Sequence, residues 1–248
     1  MAYLSFQNVS YKVQGRSILS GINLDLERGE TLVLLGRSGS GKTTAMRLIN
    51  RLLELSDGSI YLAGKSVKDV DPIELRRRIG YVIQEFGLLP HWTVEHNVSL
   101  VPQLLRWPKK RRGERAKELL DQVGLGHPDT GSRWPHELSG GQRQRVAVAT
   151  ALAAEPELLL FDEPFGALDP VTRHEMQQQF LRLRERYEVT SVFVTHDLLE
   201  AMTIGSKIAV LESGRLEAVT TPEQFLELET PTARAFRETL PAGLRPRH

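Results

Sequence analysis

The sequence predicts an α/β domain with a largely parallel sheet, an antiparallel β subdomain at its N-terminus and an inserted α-helical subdomain. Three observations predict this. Short β-branched apolar runs alternate with helix-period segments, the pattern of parallel strands joined by helical crossovers. Residues 3–35 read as short strands separated by the turns Gln14-Gly15-Arg16 and Glu27-Arg28-Gly29-Glu30. From about 86 to 155 the texture changes, and prolines at 90, 102, 108, 128 and 135 punctuate helix-like segments.

Taken in order, the N-terminal MAYLSFQNVSYKV alternates like a strand and lacks the charged-then-apolar build of a secretory leader. Thr31-Leu32-Val33-Leu34-Leu35 is an apolar strand. A glycine-rich stretch follows, and then Thr44 to Leu55 sets Met46, Ile49, Leu52 and Leu53 at helical spacing. Ser59-Ile60-Tyr61-Leu62 and Ser66-Val67 flank a turn at Ala63-Gly64-Lys65. Residues 72–78 read as a helix and Gly80-Tyr81-Val82-Ile83 as a strand. In the insert, Gly113 to Gly124 and Arg143 to Glu155 read as helices. Glu157 to Asp162 is an apolar run ending in acid. Over 170–187, Asp169 can cap a helix, Pro170 suits its first position, and Met176, Phe180, Leu183 and Tyr187 make one face. Ser191 to Thr195 and Lys207 to Leu211 are further strands. The expected organisation is one domain over 1–240. Segments 1–85 and 156–225 form its core, 86–155 its helical part, and 226–248 a short tail, frayed from Pro241.

Composition bounds the function. The chain has 248 residues, 40% hydrophobic and 25% charged, with a net charge of +1. That is ordinary for a globular protein and gives no field for binding polyanions. There is no cysteine, which excludes disulfides, thiolate metal sites and cysteine nucleophiles. Apolar runs such as Leu158 to Phe161 fall far short of the ~20 residues that span a bilayer, so a membrane role would require a partner chain.

Residues 36–43 read Gly-Arg-Ser-Gly-Ser-Gly-Lys-Thr and match G-x-x-x-x-G-K-[ST] in full, with the strand before and the helix after that the pattern requires. Glycines let backbone N–H groups converge on phosphate oxygens, and the helix start adds unsatisfied N–H groups at its positive end. Gly36, Arg37, Ser38, Gly39, Ser40, Gly41, Lys42, Thr43 and Thr44 are therefore the candidate phosphate contacts of a P-loop NTPase (RecA-like) core. Lys42 would reach the β- and γ-phosphates, and the Thr43 hydroxyl would ligate Mg²⁺.

Three apolar runs end in chemically loaded residues. Leu35 leads into the phosphate loop, Phe161 into Asp162-Glu163, and Thr195 into His196-Asp197. Open α/β sheets bind ligands beyond the carboxyl ends of their strands, so all three ends are expected at one edge. Asp162 fits a water-mediated Mg²⁺ ligand, because a buried carboxylate needs a cation. Glu163, one step further out, fits a general base for water in line with the γ-phosphorus. His196 would hold the γ-phosphate or that water, although a lone histidine after a strand is more often structural. Leu138-Ser139-Gly140-Gly141-Gln142 opens a helix, either as a second anion nest or simply with Ser139 as its N-cap. Spacing alone favours the cap.

The last pentapeptide resembles the signature of ATP-binding-cassette ATPases. With it come the phosphate loop, Gln84, the Leu158–Pro164 strand with Asp162 and Glu163, Ala167-Leu168-Asp169, and His196, in that family's order from about residue 3 to 226. The resemblance implies ATP hydrolysis with ATP and Mg²⁺. It also implies two cassettes packed head to tail, the signature of one (Ser139, Gly140, Gly141, Gln142) closing over ATP held by the other. Gln84 resembles the glutamine that senses Mg²⁺ and the membrane partner. Asp169 resembles the aspartate coupling the two sites, and Tyr11 the aromatic that stacks on adenine. By itself Tyr11 reads as half-buried packing. The implied catalytic set is Glu163, His196, Gln84 and Lys42, and the metal set is Thr43, Gln84 and Asp162.

Phe165-Gly166-Ala167-Leu168-Asp169-Pro170 and Thr221-Pro222-Glu223 resemble ATPases of bacterial uptake systems. Ile49-Asn50-Arg51-Leu52, Leu75 to Gln84 and Leu104-Leu105-Arg106-Trp107 resemble the importers of quaternary amines such as glycine betaine, carnitine and choline. The resemblance implies transmembrane permease subunits, a second copy of the chain, a solute-binding protein, and a place on the cytoplasmic face of the membrane. Phe86 to Trp92 is expected to line a groove for a short permease helix. The alternatives are an importer ATPase for another solute, a cassette ATPase acting on nucleic acid or ribosomes, and a P-loop kinase. Near-neutral charge argues against nucleic acid, and Lys109-Lys110-Arg111-Arg112 reads as a solvated face.

Overall fold

The computed structural model describes residues 2–84 and 86–241. In chain order the elements begin with β1 (Leu4–Val13), β2 (Arg16–Leu26), β3 (Thr31–Leu35), α1 (Lys42–Ile49), β4 (Asp57–Leu62), β5 (Lys65–Ser66), α2 (Pro72–Arg77) and β6 (Ile79–Val82). Then come α3 (Val94–Val98), α4 (Leu100–Leu104), α5 (Lys109–Gln122), α6 (Gly140–Leu152), β7 (Leu158–Asp162) and α7 (Pro170–Tyr187). The chain continues through β8 (Ser191–Thr195), α8 (Leu198–Ile204), β9 (Lys207–Glu212), β10 (Arg215–Thr220), α9 (Pro222–Phe225) and α10 (Pro231–Glu238). They form two compact units, one of Met1–Leu75 with Glu188–His248 and one of Arg76–Tyr187.

In the first unit an antiparallel sheet runs β2-β1-β4-β5. Leu4, Phe6 and Val9 of β1 lie inside, opposite Leu26, Leu24 and Ile22 of β2 respectively. The register shifts between Phe6 and Val9, where Asn8 has φ 51 and its N–H donates to the Asn23 side chain at 2.9 Å. A second sheet places β3 between β8 and β9, both parallel to it, with β10 antiparallel on β9. Every residue of β3 and β8 is buried, as expected of parallel strands covered on both faces. Two buried hydroxyls at their starts, Thr31 and Ser191, satisfy each other at 2.9 Å.

Helix α1 is shorter than its periodicity predicts. It stops at Ile49, and Leu52 is exposed. The cause is Arg51, which turns left-handed at φ 51 while its guanidinium donates to the carbonyls of Val67, Lys68 and Val70. Those acceptors lie in a distant strand-turn segment, which no helical pattern foretells. In the stretch expected as a tail, α10 is an ordered helix with Ala233 and Phe236 buried. The expectation of fraying falls largely on residues 242–248, outside the described residues.

In the second unit β6 and β7 pair in parallel. Helix α6 lies so close to β6 that a Cβ on Gly80 would meet the Ala151 carbonyl at 2.4 Å, so only glycine fits there. Phe161 of β7 meets Phe180 of α7 edge to face at 5.4 Å. Arg145 of α6 ties α7 and the end of α5 together, donating to Gln179 at 2.7 Å, Glu175 at 2.9 Å and the Val123 carbonyl at 3.1 Å. Helix α5 begins at Lys109, earlier than expected, and α6 begins inside the Ser139–Gln142 motif itself. Among the described residues no helix is long and apolar enough to cross a membrane.

Candidate functional site

In the first unit the phosphate loop leaves β3 and enters α1. A Cβ on Gly36 would lie 2.3 Å from the Leu211 carbonyl oxygen and 2.5 Å from Ser40 Oγ, so the loop closes only over glycine. Lys42 is buried. Its ammonium donates inward to the carbonyls of Gly36 at 2.8 Å and Arg37 at 2.9 Å, which curls the loop around it. The loop is clamped from outside as well, since Gly214 N–H, in the β9–β10 turn, donates to the Ser40 carbonyl at 3.1 Å.

Two observations fit this loop to a bound phosphate. Ser40 is 4% exposed, yet its Oγ has no hydrogen-bond partner among the described residues. Gly41, the N-cap of α1, brings no side-chain cap and the first turn holds no acid, so nothing negative competes with an anion at this helix start. Arg37, Ser38 and Gly39 form the exposed crest, and Thr43 and Thr44 are half-buried in the first turn of α1.

The same unit places His196 and Tyr11. Leu35 and Thr195 are register partners, so Gly36 and His196 leave the sheet side by side. His196 is exposed; Asp197 beside it caps α8 by accepting from Leu199 and Glu200 N–H groups. Tyr11 is half-buried on β1 opposite Leu19, and Leu19 Cδ2 lies 2.6 Å from a Cβ built on Gly41. One cross-strand neighbour therefore separates the tyrosine from the loop.

In the second unit Val82 pairs with Phe161, so Gln84 and Asp162 emerge at one strand edge. Asp162 is 6% exposed and accepts from the Tyr81 hydroxyl at 3.4 Å. Glu163 has φ 48, a left-handed backbone that costs a non-glycine residue about 1–3 kcal/mol and clusters at working sites. Gln84 is exposed.

Ser139 does cap α6. Its Oγ accepts from Gln142 N–H at 3.2 Å, while the Gln142 side chain accepts from Ser139 N–H at 2.9 Å. The two glycines of the motif differ. A Cβ on Gly141 would meet Thr172 Cγ2 at 2.7 Å, whereas one on Gly140 meets nothing within 4 Å. Packing explains Gly141 and leaves Gly140 without a structural reason. Thr172 also donates its N–H to Asp169 at 3.0 Å, so one residue joins the motif to Asp169. Hydrogen bonds from Thr172, side chain first, and from Val171 N–H hold the Asp169 carboxyl below its ordinary range.

Sequence reasoning missed three features. They are the Gly214 clamp, the stack of Arg143 over the Phe86 ring at 5.2 Å, and the loop-building role of Asn97. Buried Asn97 accepts from Leu89 N–H at 2.7 Å and donates to the carbonyls of Leu89, Trp92 and Thr93. Asparagine in a short helix after a Pro-His-Trp turn was the available signal.

Comparison with known proteins agrees with this geometry. Residues 19–166 match the family model described as ABC transporter. The choline transport ATP-binding protein OpuBA of Bacillus subtilis (strain 168) is 50% identical over 224 residues, 90% of this chain and 58% of that protein. The osmoprotectant import ATP-binding protein OsmV of Salmonella typhimurium is 45% identical over 223 residues, again 90% of this chain and 58% of that protein. The chain thus spans a little over half the length of these relatives. Among solved structures, a dimeric ATP-binding cassette in a post-hydrolysis state bound to ADP and Pi superposes with a TM-score of 0.77 at 34% identity, covering 88% of this chain and 98% of that one. CbiO1 of Clostridium perfringens, part of an ABC transporter complex, superposes with a TM-score of 0.84 at 28% identity, covering 97% and 96%. A glycine loop closed by its own lysine, a capped signature helix and these matches lead to one assignment: the chain belongs to the ABC transporter family and has the fold of its ATP-binding cassettes.

Proposed function

We propose that this chain is the ATP-hydrolysing subunit of a membrane importer for small N-methylated osmoprotectants. The observation that carries the ATPase reading is the phosphate loop, where buried Lys42, the unpartnered Ser40 hydroxyl and the uncapped start of α1 make a cradle for anionic oxygens. With nucleotide bound, Lys42 would turn from its two carbonyls to the β- and γ-phosphates, and the Thr43 hydroxyl and Asp162 would hold the Mg²⁺. Mg²⁺·ATP supplies the transferable γ-phosphoryl group and the binding energy for closure. Glu163 takes a proton from the attacking water, with Gln84 and His196 orienting it. Tyr11 stacks on the adenine.

The signature residues Ser139 to Gln142 act on nucleotide held by a second copy of the chain, and Asp169 couples the two sites. Gly140, which nothing in its own fold crowds, supports this role because it leaves the backbone open to an approaching phosphate. Closure of two copies favours one state of attached permease subunits at the cytoplasmic face of the membrane. Phe86 to Trp92, braced by Asn97, offers the groove for a permease helix. A solute-binding protein completes the system.

The solute class rests on relatives. Besides choline and osmoprotectant proteins, a trimethylamine N-oxide transport ATP-binding protein of Ruegeria pomeroyi is 46% identical over 210 residues. The solutes named share a methylated nitrogen, and no residue of an ATPase subunit needs to touch them. The test is Glu163→Gln. Phosphate release should fall to background while light scattering still detects a dimer with Mg²⁺·ATP. Undiminished turnover in that variant refutes the assignment of the base, and absence of any nucleotide-dependent dimer refutes the shared site. Cross-linking from Leu88 or Leu89 in native membranes should capture a multi-span chain.

A further inference from the structure

Glu200 is a buried carboxylate that the hydrolytic scheme above does not use. It is 5% exposed, in the first turn of α8, a helix packed against β3 and β8. An acid taken out of water is costly unless hydrogen bonds offset the loss, and methionine would fill the place without that cost. The positive end of α8 favours an acid in its first turn, but an exposed position would serve that equally well. The burial therefore calls for a reason beyond the helix end.

Its hydrogen bonds supply one. The Thr195 hydroxyl, 2% exposed at the end of β8, donates to Glu200 Oε2. An ionised carboxylate only accepts, so it fixes this hydroxyl as a donor and leaves the lone pairs of Oγ1 for another group. Asp197 N–H takes that place, donating to Thr195 Oγ1 at 3.0 Å. Asp197 is held from α8 as well. Its Oδ1 accepts from Leu199 N–H at 2.8 Å and Glu200 N–H at 3.2 Å, and its carbonyl accepts from Ala201 N–H at 3.0 Å. The residues on either side of His196 are thus tied to one another and to α8. Thr195 is also the register partner of Leu35, so the same anchor sits at the strand end beside the phosphate loop.

We infer that Glu200 is a positioning residue for hydrolysis. Through the Thr195 hydroxyl it fixes the turn that carries His196, so that the imidazole meets the γ-phosphate or the attacking water in one orientation. A misplacement of about 1 Å is enough to cost such a contact its effect, and a turn free to pivot at the end of β8 would allow it. The inference rests on the ATPase reading above.

The test is the double variant Thr195→Val/Glu200→Met in the full chain. It removes both partners and leaves no buried charge, so its melting temperature should stay close to that of the wild type. Its kcat with Mg²⁺·ATP should fall roughly tenfold and its KM should stay within about twofold, the split expected of lost positioning. Thr195→Ser and Glu200→Gln each keep an oxygen in place, and both should restore kcat to within about threefold of wild type. Without nucleotide, the His196 imidazole signal in ¹³C–¹H NMR should move in the double variant and keep its wild-type position in Thr195→Ser. In the unsubstituted chain the Asp197 amide should exchange with solvent at least about tenfold more slowly than in an unfolded peptide, a readout that stands even if the double variant does not fold. Wild-type kcat in the double variant overturns the inference. So does Thr195→Ser or Glu200→Gln as slow as the double variant, a kcat loss that merely follows a lowered melting temperature, an unmoved His196 signal, or an unprotected Asp197 amide. If the wild-type chain neither binds nor hydrolyses ATP, the underlying ATPase reading has failed, and the inference falls with it. An active wild-type chain beside an unimpaired double variant sinks this inference alone.

Discussion

Leu35 and Thr195 are paired in register at the carboxyl ends of two parallel strands, β3 and β8. Parallel pairing turns two chain segments far apart in sequence into neighbours: the loop that opens at Gly36 and the turn that carries His196. The strand ends do the positioning, and the loops after them are free to carry chemistry. Below them the strands are buried throughout, so neither end has room to drift.

Lys42→Met should leave the fold standing and remove nucleotide binding. The methionine stem fills the buried channel, and the two carbonyls it abandons, Gly36 and Arg37, lie at the loop. Losing a charge-assisted contact to phosphate should weaken ATP binding by about 100-fold. Titration calorimetry checks this, with the melting temperature as the control.

Two glycines should fail in opposite ways. Gly36→Ala drives a methyl into the Leu211 carbonyl and Ser40 Oγ, so it should lower the melting temperature and distort the loop together. Gly140→Ala meets open space, so stability should change by no more than about 0.5 kcal/mol. Its ATPase rate should nevertheless drop if the signature approaches nucleotide. Equal thermal losses in both variants would contradict the distinction.

Asn97→Asp should be worse than Asn97→Ala. The native amide donates to three carbonyls and accepts from Leu89 N–H. A carboxylate keeps the acceptor but faces those three oxygens with negative charge, whereas alanine only leaves groups unpaired, at about 1–3 kcal/mol for each that stays buried. Chemical denaturation gives the order, and permease-stimulated turnover should fall in both because the 86–92 loop loses its brace.

The Asp169 carboxyl is held below its ordinary range by Thr172 and Val171, so its ionised form favours the folded state. That stability is present above the unfolded value of about 3.9 and is lost as pH falls through the lower folded value. Compared with Asp169→Asn, which keeps a cap acceptor without the charge, the native chain should melt higher at pH 6, and the gap should close in strong acid. A gap that stays constant with pH would mean the charge contributes nothing.

Much of the fold was legible in local pattern. Helix α7 occupies the predicted 170–187, where Pro170 and Asp169 mark the start and Phe180 and Leu183 the buried face. Strands β3 and β8 were readable as unbroken apolar runs. Boundaries set by distant contacts were not readable. Helix α1 ends early because Arg51 reaches carbonyls in 67–70, and α5 and α6 both start ahead of their apolar periodicity because their first turns are polar. The phosphate loop was legible because its chemistry is compressed into eight consecutive residues. Asn97, Gln144 and the Arg143–Phe86 stack were not, since each depends on what packs against it.

The amino-acid order alone determined that this protein carries a phosphate loop after a strand, a capped glycine motif opening a helix, and an α/β frame for both, because these depend on residues adjacent in the chain and on periodicity. Only the folded structure decided that Gly36 must be glycine while Gly140 need not be, that the buried side chains of Ser40 and Gln144 find no hydrogen-bond partner among the described residues, and that Thr172 joins Asp169 to Gly141. Those facts are distances between segments far apart in sequence, and the packing of the whole chain sets them.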